Sequence, residues 1–160
     1  MGKSEPLSDD NDYASDESLL NDAFGTDMLS FPGTTNPPAS VDATSRIKQL
    51  GFPEDLVRVY QTADGGKSLD GEWFIHRAQS ILSIYDTELR DCISWPPRHH
   101  GGRDHFVLFT CEADFVFIDT NERARPVYYW SYVGNDEPFR LNADVPRFMM
   151  DVLMKWRIGP

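Results

Sequence analysis

Cysteine is almost missing from this sequence. The two present, Cys92 and Cys111, are too few for a disulfide framework, so the expected setting is reducing and cytoplasmic. Long hydrophobic runs are missing too. No apolar stretch approaches the ~20 residues of a membrane span, which argues against a membrane partner. Met1-Gly2-Lys3-Ser4-Glu5-Pro6 is followed by no apolar core, so no secretory signal is read. Gly2 is not read as a lipidation site, because Pro6 stands where Ser or Thr is required. Positive charge is in short supply: 15 Lys and Arg face 26 Asp and Glu, a formal net charge of −11. That balance argues against nucleic-acid binding, which needs a basic surface, and it favours attraction to a basic partner.

What is present is apolar and aromatic. Hydrophobic residues make up 40% of the 160, including 10 Phe, 6 Tyr and 4 Trp, enough for a real core. The charge is uneven. Residues 1–40 hold eight acids (Glu5, Asp9, Asp10, Asp12, Asp16, Glu17, Asp22, Asp27) against Lys3 alone, so −7 lies there and −4 in residues 41–160. Phe31 to Ser40 is Pro, Gly and small polar residues, a composition that predicts no regular element. Residues 1–40 are therefore read as a flexible acidic tail, and 41–160 as one folded domain. A calcium loop counted from Asp10 fails, with Ser15 at the required Gly and Asn21 at the required Glu.

Within the domain, a helix is expected from Thr44-Ser45 through Ile47 and Leu50 to the stop at Gly51. A second follows Pro53, taken as its first position, with Glu54 and Asp55 opposing the dipole. Leu56, Val59, Tyr60 and Ala63 keep helical spacing before a Gly65-Gly66 exit. Trp73-Phe74-Ile75 reads as a strand, and Arg77–Ile93 as a third helix ended by Trp95-Pro96-Pro97. The period then changes to two: strands are expected at His105–Cys111, Ala113–Asp119, Val127–Val133 and Pro138–Leu141. A final helix spans Val145–Trp156, with Asp144 as its cap. Helices, then an antiparallel meander, then a closing helix predict an α+β fold.

Reaction signatures are few. The sequence has no phosphate-binding glycine loop, no His-Glu-x-x-His, no Gly-x-Ser-x-Gly and no Cys-x-x-Cys. His99, His100, His105, Cys92 and Cys111 are metal-ligand types. Adjacent histidines do not aim naturally at one ion, however, and both cysteines fall in expected packing positions, so no catalytic residue, metal or cofactor is assigned. The densest aromatic group is Tyr128, Tyr129, Trp130 and Tyr132. In a strand, Tyr128, Trp130 and Tyr132 share one face and Val127, Tyr129, Ser131 and Val133 the other. Two readings stand. Either both faces are covered, or one is a binding surface of the kind Tyr and Trp favour, with acidic turns as its rim. The candidate partner-binding set is Asp114, Asp119, Glu122, Trp130, Tyr132, Asp136 and Glu137.

Several segments resemble the SUKH superfamily. Gly51-Phe52-Pro53-Glu54-Asp55-Leu56 through Asp64-Gly65-Gly66 is similar to its opening helix. Phe115-Val116-Phe117-Ile118-Asp119 and Arg125-Pro126-Val127-Tyr128-Tyr129-Trp130 resemble its two central strands. Val145-Pro146-Arg147-Phe148-Met149-Met150-Asp151-Val152-Leu153 resembles its final helix. The similarity covers roughly residues 44–156 in order, while Glu112-Ala113-Asp114 stands where members often have Gly-Asp. The resemblance implies a non-enzymatic immunity protein that binds a cognate toxin, often a nuclease, and blocks it; nucleases that grip phosphates are usually basic, which accords with the acidic balance. A fungal branch of the superfamily implies the alternative, a regulatory interaction module in cell-wall synthesis and signalling.

Overall fold

The computed structural model describes residues 29–86, 102–131 and 137–158. Seven strands pair antiparallel in chain order: β1 (Gly33–Thr35), β2 (Gly66–Ser68), β3 (Trp73–Ile75), β4 (His105–Cys111), β5 (Asp114–Asp119), β6 (Val127–Ser131) and β7 (Phe139–Arg140). Helices α1 (Val41–Gln49) and α2 (Glu54–Thr62) come between β1 and β2, and α3 (Val145–Ile158) closes the chain. The fold is α+β, as the order of patterns predicted.

The helices form one layer. α1 contacts α2, α2 contacts α3, and α3 lies on β1 and β2. Their inward stripes are Ala43 and Ile47 from α1, Leu56, Val57, Val59 and Tyr60 from α2, and Val145, Met149, Val152, Leu153 and Trp156 from α3. These meet Trp73, Ile75, Leu108, Phe109, Val116 and Ile118 of the sheet in one core. α3 packs tightly on Gly33, since a Cβ there would fall 2.6 Å from the Trp156 ring. Caps follow ordinary chemistry. Asp144 accepts from the Arg147 amide at 3.2 Å and caps α3 as expected.

Four expectations need correction. First, α1 starts a turn before Thr44: Ser40 caps it by accepting from the Ala43 amide at 3.1 Å, and Thr44 is buried inside it, its hydroxyl donating to the Val41 carbonyl at 3.0 Å. Second, Pro53 is the cap of α2 rather than its first residue, and Gly66 opens β2 rather than ending the helix. Third, Phe31–Ser40 contains a regular element after all. β1 pairs Gly33, Thr34 and Thr35 with Ser68, Lys67 and Gly66, so the folded unit reaches back into the segment read as tail.

Fourth, residues 77–86 are not α-helical. Only short 3-10 turns occur, at Ala78–Ser80 and Ile84–Asp86. The backbone groups of this segment are satisfied by the rest of the fold. Arg46 donates to the Ala78 and Ile81 carbonyls at 2.7 Å each, Asp64 accepts from the Ala78 amide, and the Leu82 carbonyl accepts from the Val107 amide. The apolar residues do not form one stripe either: Ile81 faces the helix-side core, and Ile84 the opposite face. The remainder of the expected helix, with Cys92, and the 1–28 segment lie outside the described residues.

β4 contains a bulge between Val107 and Phe109. Before it Val107 faces away from the helices. After it Thr110 does, while Leu108 and Phe109 are both buried in the helix-side core.

Burial of ionisable groups makes the fold alkali-sensitive. Desolvation raises the Cys111 thiol from its ordinary value near 9 to about 12, and it also raises the Tyr60 and Tyr129 hydroxyls. Each of these groups stays protonated in the native chain at a pH where the unfolded chain has lost the proton. Stability is thus fully present below about pH 9 and is expected to fall as pH rises toward 12. Thermal unfolding from pH 7 to 11 checks this, and Tyr60→Phe is expected to reduce the loss above pH 10.

Candidate functional site

The face of the sheet away from the helices is half closed and half open. One row of neighbours crosses it: Thr34, Lys67, Phe74, Thr110, Phe115 and Trp130, each paired with the next through the strand register. Exposure changes along the row. Phe74 is 39% exposed, whereas Trp130 is 0% exposed. Around Trp130, the side chains of Ile84, Val107, Phe117 and Tyr128 pack into a second apolar cluster, with Phe115 at its margin.

That burial corrects the candidate set. Trp130 is interior, enclosed by that cluster, with the Phe115 ring tilted against it at 6.2 Å. Asp119 is interior as well, at 2% exposure. Its Oδ2 lies 3.2 Å from Nε2 of the fully buried His105, and its Oδ1 accepts from the Asn121 amide at 2.8 Å. A carboxylate buried this deeply persists when it is paired and hydrogen-bonded, so Asp119 holds the β5–β6 turn and the His105 ring instead of forming a rim. Asp119→Ala is expected to cost about 2–4 kcal/mol by removing the turn's acceptor and the carboxylate beside the buried His105 ring. Asp119→Asn should cost less because it keeps the turn acceptor, and urea unfolding of the two variants tests the order.

The other members scatter. Glu122 is exposed on the β5–β6 turn, which Arg125 fastens by donating to the Glu122 carbonyl at 2.7 Å and the Gly51 carbonyl at 2.9 Å. Asp114, at the start of β5, and exposed Glu137, before β7, lie at the opposite end of the sheet. Tyr132, Asp136, His99 and His100 lie outside the described residues. His105 and Cys111 occupy opposite ends of β4 and opposite faces, so they share no site. No group of three or more His, Cys, Asp or Glu that could hold a metal is found among the described residues. Among them, too, no helix is long and apolar enough to cross a membrane.

The open half carries the accessible chemistry. Two hollows adjoin there. One of about 430 Å3 is lined by His76, Leu82, Val107, Thr110, Glu112 and Phe115. The other, of about 340 Å3, is formed around Lys67, Phe74, His76 and Arg77. His76 and Ser80 belong to both. The Phe74 and His76 rings stack with centroids 6.5 Å apart and planes 16° apart. Burial lowers the His76 pKa, so the imidazole is neutral at pH 7. Glu112 lines the larger hollow, and Asp70 and Glu72 of the β2–β3 turn and Asp114 at the start of β5 gather at the same end of the sheet, near enough that all four raise the Cys111 thiol. Asp114 itself turns to the helix side, where its carboxylate accepts from the Tyr129 hydroxyl.

The sequence reading passed over Lys67, Phe74, His76 and Thr110. The signal was the alternation in Trp73-Phe74-Ile75-His76: Trp73 and Ile75 are core residues, which leaves Phe74 and His76 for the other face. Compared with protein-family models, curated proteins and solved structures, the chain matches none of them.

Proposed function

We propose that this chain is an immunity protein: a non-enzymatic domain that binds a basic cognate toxin and blocks its active or substrate-binding surface. The observation that carries the reading is the open half of the sheet, where exposed Phe74 and half-buried Phe115 adjoin two hollows, the larger lined by Glu112, with exposed Asp70 and Glu72 in the β2–β3 turn at the same end of the sheet. An aromatic centre with a charged margin suits protein recognition. The resemblance of residues 44–156 to the SUKH superfamily supplies the kind of partner. A nuclease that grips phosphates is basic, so an acidic margin speeds its capture. The surface is thus the open half of the face on which the sequence reading set Trp130, with Phe74 as its anchor.

Co-expression with the toxin encoded beside this chain tests the proposal. Protection is expected, and the double variant Glu72→Lys, Glu112→Lys should associate at least ~10-fold more slowly at low salt. The difference should shrink at high salt. A toxin that kills equally with and without the chain ends the reading. Removing residues 1–28 takes away the −7 carried there while sparing β1. If that segment contributes long-range attraction, the truncated chain associates more slowly and with a shallower salt dependence.

A further inference from the structure

The two adjoining hollows differ in charge. Glu112 lines the larger. The smaller is formed by Thr34, Lys67, Phe74, His76, Arg77 and Ser80 with Asn36, and no carboxylate lines it. On a chain of net charge −11, two cations around a carboxylate-free hollow run against the prevailing sign. Lys67 is exposed, and among the described residues no carboxylate pairs with it. Arg77 is 54% exposed and stands 4.0 Å from Asp64 Oδ2, the outer limit of an ion pair. The other oxygen of Asp64 accepts from the Ala78 amide. His76 adds no charge at pH 7. The Asn36 amide donates to the Asp64 carbonyl, so the neutral donors facing the hollow are the Thr34 and Ser80 hydroxyls. One wall is the Phe74 ring, backed by His76.

Building on the open half as the partner-binding surface, we infer that the Lys67–Arg77 hollow receives a partner's carboxylate, on an acidic side chain adjacent to an apolar one that lies on Phe74. A basic partner is drawn to the Glu72–Glu112 end, but attraction alone does not fix how it sits. An acid in the contact segment fits only over Lys67 and Arg77, since at the other end of the surface it would meet Glu112, with Asp70 and Glu72 in the neighbouring turn. The pair of opposite charges therefore sets orientation by repulsion of the wrong one. Lys67 and Glu112 are two strands apart across the sheet, and Glu112 lies two residues beyond the Phe74 partner Thr110. Strand spacing and rise put them about 12 Å apart, a span that about four extended residues cover. The partner segment thus carries its acid and its base about four residues apart.

The test uses the full chain and two defined probes, N-acetyl-Glu-Phe-amide and N-acetyl-Lys-Phe-amide, followed by amide chemical shifts. The acidic dipeptide is expected to shift Lys67, Phe74, His76 and Ser80 saturably in the millimolar range. The basic one should leave them in place. Lys67→Glu with Arg77→Glu should weaken the acidic probe at least tenfold while signals elsewhere stay put, and Lys67→Gln alone should weaken it about threefold if the double variant does not fold. No saturable shift at these residues, an equal response to the basic probe, or unchanged affinity in the variants overturns the inference. A probe that binds while co-expression gives no protection upholds the hollow and removes the immunity reading. Protection without probe binding removes the hollow alone.

Discussion

A Trp130→Ala chain is expected to lose about 3–5 kcal/mol of folding stability, with its urea midpoint well below that of the parent. Trp130 is the largest fully buried side chain among the described residues. It is enclosed by Ile84, Val107, Phe117 and Tyr128, and truncation leaves a cavity that a sheet cannot close by shifting one strand. Domains hold about 5–15 kcal/mol in total, so about a fifth or more of the margin goes with one ring. The contrast is Phe74→Ala in the same row. With 39% of Phe74 exposed, about 1 kcal/mol or less is expected from the smaller area withdrawn from water, and the loss should fall on partner binding. If Trp130→Ala unfolds at the parental midpoint, the closed half of the face is misplaced.

The second large effect concerns Gly65. Its φ of +74° is in the left-handed region, and a Cβ there would lie 2.4 Å from the Ile75 carbonyl oxygen and 2.9 Å from that of His76. Gly71 is the internal control, with φ +78° and nothing within 4 Å of the place a Cβ would take. Both substitutions to Ala share the left-handed cost of about 1–2 kcal/mol. Gly65→Ala must in addition move the backbone at the end of β3, so about 3–5 kcal/mol is expected. At this chain length that separates the two melting temperatures by several degrees or more. Equal melting temperatures would show that the end of β3 yields freely. Because the β3 end carries Phe74 and His76, the Gly65 variant should also alter the two hollows, whereas the Gly71 variant should not.

Elements with a local cause were legible in the sequence. The α2 stripe, the hairpin of β4 and β5, and the Asp144 cap all follow from short-range spacing and chemistry. What was illegible depended on distant partners. β1 is three residues long and exists because β2 pairs with it. Residues 77–86 carry helical spacing, but Arg46, Asp64 and β4 take up their backbone groups. The aromatic cluster at Tyr128–Trp130 was visible, and the choice between cover and exposure was not, since that depends on which end of the face is enclosed. Acidic residues at turns were read as rim, yet only the pairing of turns in space shows that Asp70 and Glu72 join Glu112 and Asp114, or that Asp119 turns inward to His105.

The bulge in β4 has a consequence for tolerance to changes of length. With uninterrupted alternation, a strand that points Val107 outward would also point Phe109 and Cys111 outward and turn Thr110 into the core. One extra residue, Leu108, prevents this by letting two successive side chains enter the core. The strand thus runs in two frames, and a deletion at Leu108 or Phe109 would merge them without exchanging any face. A deletion outside the bulge would send one half of the strand upside down. Substitutions in β4 are therefore judged residue by residue, while changes of length are admitted only at the bulge.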